Sequence, residues 1–283
     1  MQYGTSFSAD WLEDVGALRQ AASELDNAGL DFLSYGGHVL TSRLGRYERP
    51  PGTYAAVFRD FFVLFASLAA TTTRIRFRSG ILILPMFSTV HVAKQAADLS
   101  IVSDGRFELG VGISWNEPEY RAMGQELATR GRRLDEQLLV LRQLWTEEFV
   151  TFHGQFHDID DLGLGQLPRE PISIWIGSGE GSAAMSRVAR LADGWMPIAV
   201  PTKERIDALR ADGIAAGRTT PIGVAARITA RREDSEAAVE EARALVANGV
   251  SAISIAPPSG SDVEAGIGAV IATYRLLVET VGA

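Results

Sequence analysis

The sequence predicts a single (β/α)8 TIM barrel, and three observations carry that reading. Short apolar runs suited to strands alternate with helical patterns along the whole chain of 283 residues. Eight such runs are found, and each is followed by a helical segment. An open doubly wound sheet would need a glycine fingerprint after its first strand, and Ser6-Phe7-Ser8 is not one. Residues 74–115 set the pattern. Ile75 and Phe77 lead into Ser79-Gly80 and the apolar run Ile81-Leu82-Ile83-Leu84, which Pro85 closes, as expected of a strand buried on both faces. Val90, Ala93, Ala97 and Ile101 then recur at helical spacing, Asp104-Gly105 ends the helix, and Phe107 to Gly112 is the next strand.

The other elements follow in order. Tyr3 to Phe7 is the first strand, and Asp10 is placed to cap a helix running to Ala28. Leu30 to Tyr35 is strand two, and Arg59 to Ala70 is a helix. Arg130 to Glu147 carries a stripe of Leu134, Leu138, Leu141 and Leu144, and Val150 to Ile159 reads as a hairpin around Gly154. Strands five to eight are expected at 172–176, 194–198, 222–228 and 250–255. Their helices follow, ending with one over 263–281, and Asp234 or Ser235 caps the helix before strand eight. Two insertions interrupt the barrel, at 38–58 after strand two and at 149–170 between strands four and five. No linker or repeat divides the chain, so one domain over 1–283 is expected.

Composition narrows the partners. A net charge of −8 argues against nucleic acid or an anionic membrane. With no cysteine, thiol chemistry and thiolate metal sites are excluded. His38, His91, His153 and His157 form no close ligand pattern, so no protein-held metal is expected. The run from Phe61 to Ala70 is too short to span a bilayer, and the first residues show no signal pattern, so a cytoplasmic protein acting on a small molecule is expected.

In such barrels chemistry gathers at the C-terminal ends of the strands. Gly177-Ser178-Gly179-Glu180 stands between a strand and a helix, either a phosphate-binding loop or a plain connection. His38 follows two glycines after strand two, where it is either a proton donor and acceptor or a loop histidine. Ser79-Gly80-Ile81 is a place for an irregular backbone, through ligand approach or tight packing. Trp115-Asn116-Glu117-Pro118 offers an aromatic wall or simply a helix start. Arg130, Arg132 and Arg133 with Asp135 and Glu136 read as a solvated helix start. Arg43, Arg46 and Arg49 form a basic cluster in a loop that could overhang the mouth and meet an anion.

Five segments in this order sharpen the picture: RIRFRSGILILP, KQAADLSIVSDGRFELGVGISW, RGRRLDEQLLVLRQLW, FHGQFHDI and ISIWIGSGEGSAAMSRVARLADGWMP. Together they resemble the luciferase-like monooxygenase family, in particular its oxidoreductases that use the deazaflavin coenzyme F420. The resemblance implies a barrel, a dimer, and a deazaflavin or FMN at the C-terminal mouth. It places Gly177, Ser178, Gly179 and Glu180 in the cofactor loop, and Ser79, Gly80 and Ile81 behind the ring at a non-prolyl cis peptide. It puts Gly112, Ile113, Ser114, Trp115 and Asn116 along the ring and His38 near the reacting carbon, with Gly37 where the family has Asp. Trp115 stands where sugar-phosphate dehydrogenases of the family have a glutamate. That combination implies reduction of a polarised C=C, C=N or C=O bond by His38 alone or with Glu117, with FMN-dependent oxygenation and cofactor binding without catalysis as alternatives.

Overall fold

The computed structural model describes residues 1–41, 57–230 and 235–282. Eight parallel strands close into a (β/α)8 barrel: β1 (Gln2–Ser6), β2 (Phe32–Tyr35), β3 (Arg76–Ser79), β4 (Phe107–Val111), β7 (Ile174–Ser178), β8 (Gly194–Pro197), β9 (Gly223–Thr229) and β10 (Ala252–Ala256). The remaining two, β5 (Val150–His153) and β6 (Asp158–Leu162), pair antiparallel as the hairpin inserted between β4 and β7. Helices α1 (Val15–Ala28), α2 (Phe61–Ala69), α3 (Thr89–Val102), α4 (Glu117–Ala122), α5 (Arg130–Thr146), α6 (Ser182–Leu191), α7 (Lys203–Ala215), α8 (Ser235–Ala247) and α9 (Val263–Thr280) complete the described elements.

The main core lies between barrel and helices. Leu33, Phe77, Leu109, Ile176, Val224 and Ile255 point outward into it and meet Leu18, Phe65, Leu138 and Leu277. Every second strand residue therefore faces the barrel interior. There Phe32, Trp175 and Ala252 pack together, and the Arg78 guanidinium sits between the Phe32 ring at 4.2 Å and the Trp175 ring at 3.8 Å. Glu108 pairs with Arg78 at 2.6 Å, so the buried cation is both stacked and neutralised. Asp26 at the end of α1 accepts from the backbone of Thr73, Arg74 and Ile75, which fixes the entry to β3. Burial raises its pKa, but those hydrogen bonds outweigh burial and hold it below the ordinary value.

Several expectations need correction. Ile81 to Leu84 is not strand: β3 stops at Ser79, Leu82 makes one bridge to Val111, and Leu84–Met86 is a 3-10 turn. The apolar run is explained by burial of Leu82, Ile83 and Leu84 in a folded-over turn, where side chains are sequestered without ladder pairing. Asp10 lies in a short 3-10 turn, and Asp14 caps α1 by accepting from Ala17 N. The start of α5 is more than a solvated face. Asp135 binds the buried Arg187, and Glu136 accepts from Gln155 N, Phe156 N and His157 Nδ1, which pins the hairpin to the barrel. Asp234 and the cluster Arg43, Arg46 and Arg49 fall outside the described residues.

Candidate active site

The C-terminal ends of β2, β3 and β4 build one continuous site. Gly80–Ile81 is a cis peptide placed directly after β3, as the resemblance implied. Its backbone packs against Gly36, where a Cβ would lie 2.3 Å from the carbonyl carbon of Gly80 and from the nitrogen of Ile81. The Ile81 side chain then enters a notch between two strands. A Cβ on Gly112 would meet Ile81 Cδ1 at 2.1 Å, and one on Gly177 would meet Ile81 Cγ2 at 2.9 Å. Those two glycines are thus required by Ile81, a packing reason that the motif alone did not disclose. Ser79 is fully buried, and its hydroxyl donates to Gly110 O at 2.9 Å and accepts from Gly110 N at 2.8 Å. It secures the turn from behind.

The sequence offered His38 alone or with Glu117, and the structure holds His38 with a different carboxylate. Its partner is Glu119, not Glu117: His38 Nδ1 lies 2.8 Å from Glu119 Oε2. The same carboxylate accepts from Asn116 Nδ2 at 2.8 Å, Val39 N at 2.6 Å and Leu40 N at 3.2 Å. Glu119 occupies the third position of α4, so its side chain turns back toward the barrel while Glu117 is exposed. Burial raises the Glu119 pKa, but the hydrogen bonds from His38, Asn116 and Val39 outweigh burial and hold it below the usual carboxylate range. An ionised Glu119 accepts, so Nδ1 of His38 carries the proton.

Phe58 packs edge-on against His38 with centroids 5.4 Å apart. A Cβ at Gly37 would lie 2.6 Å from Phe58 Cδ1, so Phe58 fills the space an Asp at 37 would need. His38, Phe58, Phe61, Ile81, Ile83, Phe87 and Gln95 line a cavity of about 130 Å³ beside the turn. A larger groove of about 360 Å³ lies outside the barrel between α1 and α9 and contains none of these groups.

The loop after β4 forms the next wall. Tyr120 donates to Ile113 O at 2.6 Å, and Ser114 takes a left-handed backbone at φ 50°. Trp115 stands out from this loop at 46% exposure, and Val39, Leu40, Ile198 and Val200 add exposed apolar surface after β2 and β8. Asn116 is buried, and its Oδ1 finds no partner among the described residues. Across the mouth, Gly181 starts α6 without a side-chain cap, and space is open where its Cβ would be. Ser178 Oγ accepts from Trp195 Nε1 at 3.1 Å, and Glu180 is tied to Arg205, whose Nη2 donates to its carbonyl at 2.9 Å. A Cβ at Gly179 would lie 3.8 Å from Ile198 Cδ1. The structure therefore brings His38, Gly80, Ile81 and the 112–116 loop together, with the 177–181 loop beside them.

The luciferase-like monooxygenase family model matches residues 2–277. The chain belongs to that family. An uncharacterised protein of Mycobacterium tuberculosis is 45% identical over 140 residues, 49% of this chain and 48% of that protein. The FMNH2-dependent dimethylsulfone monooxygenase of Pseudomonas putida is 32% identical over 188 residues, 64% of this chain and 50% of that enzyme. The chain thus spans about half the length of these curated relatives. The solved structure of an F420-dependent secondary alcohol dehydrogenase with an F420–acetone adduct superposes with a TM-score of 0.79 at 15% identity, covering 98% of both chains. That likeness is one of fold. Among the described residues no helix is long and apolar enough to cross a membrane, and no cluster of three or more acidic or histidine side chains could hold a metal ion.

Proposed function

We propose that this chain is an oxidoreductase that reduces a polarised C=C, C=N or C=O bond of a small organic molecule with the deazaflavin F420. The observation that carries the proposal is the His38–Glu119 pair beside Gly80–Ile81, a fixed proton-transfer group next to a shaped turn at the barrel mouth. The residues present suit a planar ring with a phosphate-bearing tail. Gly80 and Ile81 would back the ring, and Ile113, Ser114 and Trp115 would flank it. Asn116 Oδ1, a buried acceptor with no partner among the described residues, would take a ring N–H, and the uncapped start of α6 at Gly177 to Gly181 would receive phosphate. Bound there, the deazaflavin would supply hydride at its C5. The protein's own part is to hold substrate over the mouth, exclude water with the apolar rim, and move a proton at His38 Nε2. The proposed assembly is a homodimer in the cytoplasm.

A second reading, FMN-dependent oxygenation, has its own support: the Pseudomonas putida relative that carries FMNH2 in its name is the nearer in sequence, at 32% identity against 15% for the F420-dependent neighbour. Binding without catalysis is disfavoured by a carboxylate devoted to orienting His38. Equilibrium binding of purified apoprotein to F420 and to FMN, side by side, separates these. Tight F420 with weak FMN supports the first reading. The reverse order moves the chain to oxygen chemistry, checked by O₂ uptake. Binding of neither defeats the proposal.

A further inference from the structure

β9 alternates strictly: Val224, Ala226 and Ile228 pack outward into the main core, whereas Ala225 packs inward with Phe32 and Trp175. Arg227 shares the inward phase of Ala225 and lies one pleat nearer the C-terminal end of the strand, opposite Ser254 on β10. It is exposed, which an inward-facing residue can be only where the barrel opens. Among the described residues its side chain has no ion pair or hydrogen bond. The other inward arginine, Arg78, shows what the fold does with such a charge when its role is structural: it buries it between two rings and pairs it with Glu108.

Position adds to this. In the closed order β1-β10-β9-β8-β7-β4-β3-β2, β9 stands four strands from β3 in either direction. Arg227 therefore faces the Gly80–Ile81 turn from the opposite wall of the mouth. Ser254, opposite it on β10, is uncharged. A guanidinium held on a rigid strand at the mouth, without a carboxylate partner among the described residues, is suited to a two-pronged bond with an anion.

We infer that Arg227 reads a carboxylate on the substrate, so that the acceptor is an organic acid whose reducible bond is presented toward Gly80–Ile81 and His38. This rests on the proposed function for its catalytic meaning, but the binding itself can be tested alone. The probe is trans-cinnamate, an unsaturated carboxylate, compared with its neutral amide, cinnamamide. Affinities for the full chain are measured by calorimetry and by fluorescence of the exposed Trp115. Wild type is expected to prefer cinnamate, and Arg227→Gln to bind cinnamate roughly tenfold or more weakly while binding cinnamamide unchanged. Arg227→Lys should recover part of the loss. F420 and FMN affinities should be the same in wild type and Arg227→Gln.

Equal cinnamate affinity in wild type and Arg227→Gln overturns the inference, as does a wild type that binds no cinnamate at millimolar concentration. A fall in cofactor affinity with cinnamate binding unaffected also overturns it, because the arginine would then serve the cofactor. If neither cofactor binds but the carboxylate preference persists and depends on Arg227, the proposed function fails and the anion site stands.

Discussion

Removing the Glu119 carboxylate should loosen the site and the fold together. Four donors meet it: His38 Nδ1, Asn116 Nδ2, Val39 N and Leu40 N, at 2.6 to 3.2 Å. Hydrogen bonds to a charged group contribute roughly 1.5–3 kcal/mol each but do not add, and breaking a buried charged set costs roughly 3–5 kcal/mol. For a chain of this size each kcal/mol moves the midpoint by about 2–4 °C, so Glu119→Ala should lower Tm by roughly 10 °C. Glu119→Gln preserves shape, loses less, and turns an N–H toward one of the donors. His38 then has to accept at Nδ1, and its proton moves to Nε2. The folded pKa of Glu119 is depressed. Its stabilisation is therefore complete above the ordinary carboxylate pKa, about 4.3, and is lost as pH falls through the folded value. Thermal unfolding from pH 7 down to pH 3 reads that convergence between wild type and Glu119→Gln. Imidazole nitrogen NMR reads the tautomer. A Glu119→Ala protein with unchanged Tm, or a His38 that keeps its Nδ1 proton in Glu119→Gln, would refute the reasoning.

Other outcomes follow from the same geometry. His38→Ala should reduce turnover roughly 10²–10⁴-fold and leave cofactor affinity nearly unchanged, as steady-state rates and a binding titration will tell; an unchanged rate removes His38 from the mechanism. Gly36→Ala places a methyl 2.3 Å from backbone that cannot yield, so both stability and cofactor binding should fall, whereas alanine at the exposed Gly268, which has no neighbour within 4 Å, should be tolerated. Asp26→Asn replaces an acceptor of three backbone N–H groups and should cost roughly 2–4 kcal/mol by denaturant unfolding. Because the Asp26 pKa is lowered by those bonds, the difference from wild type should shrink as the solution is acidified through the carboxylate range.

Local chemistry alone determined much of this protein. Alternating strand and helix patterns marked an α/β fold, and the lack of a glycine fingerprint after the first strand pointed to a closed barrel rather than an open sheet. Turn residues marked most element ends, so β4, α3, α8 and the hairpin lie within a few residues of their expected places. The position of His38 after β2, and of the glycine loops after β4 and β7, was also legible, since strand ends are punctuated by glycine and proline.

What only the tertiary structure decided are contacts between segments far apart in the chain. An apolar run such as 81–84 is compatible with strand or turn, and the choice fell to packing of Ile81 between Gly112 and Gly177. The partner of His38 is 81 residues away, and Glu117 and Glu119 differ only in which side of a short helix faces the barrel. Arg227 looked like any arginine in a strand until closure of the sheet set which residues face inward and which strand stands across from β3. Sequence periodicity fixes the faces of one element; the meeting of side chains from different elements is fixed by barrel closure, which brings distant strand ends to a common mouth.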